Sequence, residues 1–127
     1  MTMKTRTLIT AAALALAAFV ASPALAHGGA KPKHGGVVQT SSDLSFELVG
    51  HAEGAVIYVE DHGKPLAPTG MTGKLTVLNG SEKSEGELVV AGDRLQAKGV
   101  KLAPGAKAVA ALTTASKKAI TVRFTVK

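Results

Sequence analysis

From residue 37 onward, apolar side chains recur at every second position in short runs, and turn residues interrupt the runs. Leu44, Phe46 and Leu48 alternate with Ser45 and Glu47. Ile120, Val122, Phe124 and Val126 alternate with Thr121, Arg123, Thr125 and Lys127. A period of two turns one side of a run to a core and the other to water, which is the pattern of a half-buried strand. Further strands are expected at 37–40, around Leu75 and Val77, and at 87–90, 94–97 and 107–112. The run 55–59 is different, because both of its faces are apolar, as in the central strand of a sandwich. Residues 106–111 are rich in Ala, which favours helix, but Val109 and the short length decide for strand.

The turns are equally legible. Ser41-Ser42-Asp43, residues 50–54, residues 61–65 with a loop running on to Gly73, Asn79-Gly80, Ala91-Gly92-Asp93 and residues 102–105 divide the chain into short segments. After residue 26 no segment keeps a helical period over three turns, and no internal repeat is visible. The expected fold is all-β: an antiparallel β-sandwich or small barrel, Ig-like, of seven to eight short strands. Phe46, Leu48, Ile57, Leu75, Val77, Val122 and Phe124 are its expected core.

Ahead of the strands the pattern changes twice. Lys4 and Arg6 precede an apolar run at 8–21, and Ala24-Leu25-Ala26 has the small-x-small form of a cleavage site. Residues 1–26 therefore read as a signal peptide, and the run is short for a membrane span. Export to a periplasm is expected, with no membrane insertion after cleavage. Residues 27–36, His-Gly-Gly-Ala-Lys-Pro-Lys-His-Gly-Gly, read as a flexible arm with no apolar area to bury. Residues 37–127 form the domain.

The full chain has 15 Lys and Arg against 9 Asp and Glu; without Lys4 and Arg6 the net charge is +4. The basic residues are scattered along the sequence, with one Tyr and no Trp, so a nucleic-acid surface is not expected and the charge reads as solubilising. With no Cys there is neither a disulfide framework nor a thiolate. No nucleophile elbow, phosphate loop or His-Glu-x-x-His sequence is present, and catalysis is not expected.

The four histidines carry the remaining chemistry. His27 and His34 each precede a Gly-Gly pair, and His51 and His62 flank the central strand beside Glu53, Glu60 and Asp61. Imidazole with carboxylate suits Zn²⁺, Cu²⁺, Ni²⁺ or Co²⁺, though the spacing matches no named metal motif. A strand between His51 and His62 holds them roughly 20 Å apart, too far for one ion. If 37–40 and 44–49 pair as a hairpin, His34 falls beside His51. The expected main site is then His27, His34 and His51, with Glu53 as a fourth ligand. His62 with Asp61 is a weaker separate site or only a polar turn.

His34-Gly-Gly-Val, residues 44–49, residues 57–65 with the Asp61-His62-Gly63-Lys64-Pro65 run, and residues 73–78 together resemble the His-containing periplasmic N-terminal domain of heavy-metal RND efflux adaptor proteins, of the cobalt–zinc–cadmium type. The resemblance continues through residues 105–109 and 123–127. It implies a domain that binds or buffers a divalent metal near an efflux pump, with pump components as partners. The helical hairpin, lipoyl-like domain and barrel of an adaptor have no counterpart in this sequence, so the expected protein is a free-standing metal chaperone or buffer in heavy-metal resistance. The other reading is a non-catalytic interaction module that docks on another cell-envelope protein, with the histidines incidental.

Overall fold

The structure, a computed structural model, describes residues 31–127. The expected signal peptide and His27 lie outside the described residues. Among the described residues all regular structure is strand: β1 (Val37–Ser41), β2 (Leu44–His51), β3 (Gly54–Asp61), β4 (Lys64–Pro65), β5 (Thr72–Asn79), β6 (Glu82–Ala91), β7 (Arg94–Lys98), β8 (Lys107–Thr113) and β9 (Ala119–Thr125). Every ladder is antiparallel, in the order β1-β2-β3-β7-β6-β5-β8-β9, with β4 appended to β3. The two ends of that order, β1 and β9, lie side by side, so the sheet curls into a nearly closed barrel. Among the described residues no helix is long and apolar enough to cross a membrane.

The turns follow from their residues. Ser42 and Asp43 both adopt positive φ, as a two-residue turn between twisted strands requires, and so do His62 and Gly63. After Asn79, the residues Gly80 and Ser81 turn the chain straight back, and Asn79 pairs with Glu82. β6 therefore begins five residues earlier than its apolar run suggested, because its first half is polar and only its end reads as strand. β6 also changes partner along its length. Residues 82–88 pair with β5, while Val89, Val90 and Ala91 pair with β7. It is the corner at which one sheet becomes the other.

The core forms between the two sides. Phe46, Leu48, Ala55, Ile57, Val59, Leu95 and Ala97 face Leu75, Val77, Ala108, Ala110, Leu112, Ile120, Val122 and Phe124. Small alanines sit among the two phenylalanines, so large and small side chains interdigitate, as close packing demands. All seven expected core residues are buried. β3 is central as expected, flanked by β2 and β7. Its alternate side chains, Val56 and Tyr58, point away from the core, and yet Val56 is buried.

Candidate functional site

The outer face of β2 and β3 carries a cover, and it is the end of the arm. Glu47 and Tyr58 face each other across the β2–β3 ladder. The Glu47 side chain is only 8 % exposed, and four donors converge on it. The backbone N–H of Lys33 donates to Oε1 at 2.9 Å, and those of His34 and Gly36 donate to Oε2 at 2.8 Å each. His34 Nδ1 lies 3.0 Å from Oε1. Burial on its own raises the Glu47 pKa; the hydrogen bonds from Gly36, Lys33 and the His34 side chain and backbone outweigh it and hold the carboxyl below its ordinary value.

The imidazole is fixed from a second direction. Its ring stacks on Tyr58 with centroids 3.6 Å apart and planes 5° from parallel, and the Arg94 guanidinium lies 5.8 Å from the Tyr58 ring centre. Lys33 anchors the strap further along, with Nζ 2.7 Å from Glu60 Oε2 and 3.2 Å from the Gly63 carbonyl oxygen. Residues 33–36 are thus bound to the sheet rather than free. The composition of the arm does not announce this, because the receptor is a carboxylate eleven or more residues away.

The two glycines make the geometry feasible. Gly35 has φ +79°, which lets the chain fold over the sheet. A Cβ on Gly36 would lie 2.1 Å from the Leu48 carbonyl oxygen, so only glycine permits so close an approach.

The β1–β2 hairpin forms as expected, with Val37 opposite Leu48, and Leu44 opposite Asp61 puts His62 near Asp43. His34, however, does not continue the hairpin to reach His51. The strap turns it back onto Glu47, four residues short of His51, or about 13 Å along the strand. His51 sits exposed at the end of β2, and with Glu53, Arg94 and Gln96 it lines a shallow groove. His62 lies in the β3–β4 turn with Nδ1 against Asp61 Oδ1. The structure therefore joins His34 to Glu47 and His62 to Asp61, and does not gather His34, His51 and Glu53. Among the described residues no three His, Asp or Glu side chains are grouped to hold one ion.

Sequence reasoning missed Glu47 and Tyr58. One signal for them was present: the central strand is apolar on both faces, so something must cover its outer face.

Against this fold and site, no family model, curated protein or solved structure matches the chain.

Proposed function

We propose that this chain is a periplasmic divalent-metal-binding protein, a chaperone or buffer in heavy-metal resistance, and that His34 is its leading ligand. The observation that carries the reading is the bond between His34 Nδ1 and the buried Glu47 carboxylate. An ionised carboxylate only accepts, so a neutral His34 must carry its proton on Nδ1, and the lone pair is then on Nε2. Metal-ligating histidines commonly have this arrangement, in which a carboxylate on one nitrogen sets the tautomer and raises the basicity of the other. The His34 side chain remains 42 % exposed, so an ion from solvent can approach it. His62 repeats the device with Asp61 in a more open setting. Borderline ions such as Zn²⁺, Cu²⁺, Co²⁺ or Ni²⁺ suit these donors. The resemblance of residues 34–37 and 57–65 to efflux-adaptor domains adds a role beside an RND pump, with the pump components as partners.

The test is calorimetric titration of the tag-free mature protein with zinc and with copper(II), repeated on His34→Ala and Glu47→Gln. Glu47→Gln should weaken the tightest site by about 10–100-fold, the usual effect of losing a carboxylate behind a ligand. Unchanged affinity in His34→Ala would remove His34 from the ligand set.

A further inference from the structure

Acidic residues are absent from the last quarter of the chain. Residues 94–127 contain eight Lys and Arg and no Asp or Glu, while all nine acidic residues lie between Asp43 and Asp93. The fold turns this linear asymmetry into a face. β8 and β9 form the end of the sheet beyond β5, and alternate residues of each point outward. Lys107 stands opposite Thr125, and Arg123 opposite Val109, on that outer face. The β8–β9 turn adds Lys117 and Lys118. Thr114 holds that turn, its carbonyl accepting the Lys117 N–H at 2.8 Å and its hydroxyl accepting the Lys118 N–H at 3.1 Å. Lys127 follows the end of β9.

Among the described residues, none of these five cations forms an ion pair, whereas Lys33, Lys74, Lys83 and Arg94 all do. Exposed lysines normally find carboxylates nearby at random. Here no carboxylate exists on either strand, and the nearest on the same face, Glu85 and Glu87, lie on β6 with β5 between them and β8, so the hairpin itself carries positive potential.

We propose that the outer face of the β8–β9 hairpin adsorbs to an anionic phospholipid surface. The spread of the charges favours a bilayer over an acidic peptide. The outward residues between the cations are small, Val109, Ala111, Thr113 and Thr121, so no bulky side chain stands among them, and the charges spread along the length of the hairpin. An acidic peptide engages charges set close together along one line, whereas charges spread over two strands, a turn and the chain after β9 meet many separate headgroups at once. The face has no aromatic side chain to insert, since Phe124 points into the core. Contact is therefore electrostatic and reversible. The acidic residues on the remaining strands orient the molecule with this hairpin toward the membrane.

The experiment is co-sedimentation of the mature protein with vesicles of phosphatidylcholine alone and of phosphatidylcholine mixed with phosphatidylglycerol, at low and high salt. Circular dichroism verifies that each variant folds. Binding to the phosphatidylglycerol vesicles only, abolished by salt, is expected. Lys107→Glu with Arg123→Glu should lower the partition coefficient at least about tenfold. Lys64→Glu, which changes net charge as much as Lys107→Glu but lies on β4, should lower it less than Lys107→Glu does. Three results would overturn the proposal: no binding to the anionic vesicles, equal losses from Lys64→Glu and Lys107→Glu, or binding to soluble polyglutamate with none to vesicles.

Discussion

Glu47 and Tyr58 occupy directly opposed positions on β2 and β3, and His34 touches both, one through a hydrogen bond at 3.0 Å and the other through a ring stack at 3.6 Å. Two contacts at an angle to each other fix both the position and the rotation of the imidazole. An imidazole held this way would lose little rotamer freedom on binding an ion.

Acid should release the strap. The folded-state pKa of Glu47 lies below its ordinary value, so its contribution to stability is fully present above the unfolded-state value of about 4.3. That contribution fades as pH falls through the folded value. Slow amide exchange at Lys33, His34 and Gly36, followed by NMR, should persist from neutral pH down to the ordinary carboxylate range and vanish below it. In Glu47→Gln those amides should exchange fast at every pH.

Metal affinity should weaken on acidification well before the strap lets go. Imidazole must be neutral to coordinate, and the free side chain titrates near about 6.5. Titrations from neutral pH to about pH 5 should show a steep fall; a flat profile would mean carboxylate-only sites.

Separate ligands should behave separately. His34→Ala and Glu47→Gln act on one imidazole, so their effects on metal affinity should be strongly non-additive. His34→Ala with His51→Ala, or with His62→Ala, should be additive within error, because the strap holds His34 away from both.

Gly36→Ala should detach the strap and leave the barrel intact. The new methyl would collide with the Leu48 carbonyl, and the strap end, not the ladder, is free to move. Metal affinity should drop to the Glu47→Gln level, while the urea midpoint shifts far less than in Phe124→Ala. Removing the buried Phe124 ring should cost about 3–5 kcal/mol.

The fold was readable because local signals agree with one another. Leu44, Phe46 and Leu48 alternate, Asn79-Gly80 turns, and Ile120, Val122 and Phe124 alternate again; each signal spans only a few residues. The polar start of β6 broke that rule, since Glu82, Lys83 and Glu85 carry no apolar alternation and are strand only because β5 lies beside them. The four histidines were readable as candidates, but their grouping was not. Extending the β1–β2 register past Val37 leads His34 toward His51. What diverts it is a carboxylate on β2 that collects three backbone N–H groups from the arm, a contact no local pattern encodes. Nor did scattered lysines read as a face, because the face exists only once β8 and β9 pair.

β6, shared between the two sides of the barrel, has a consequence for how the molecule comes apart. A sandwich of two independent sheets can open along the seam between them. Here the seam is crossed by an unbroken backbone that is hydrogen-bonded to β5 at one end and to β7 at the other, with Leu88 buried at the junction. Neither sheet can leave without unzipping the strand that the other needs. Unfolding should therefore be one cooperative event, and the paired amides of β6 should exchange only when the whole domain opens, which native-state hydrogen exchange would read.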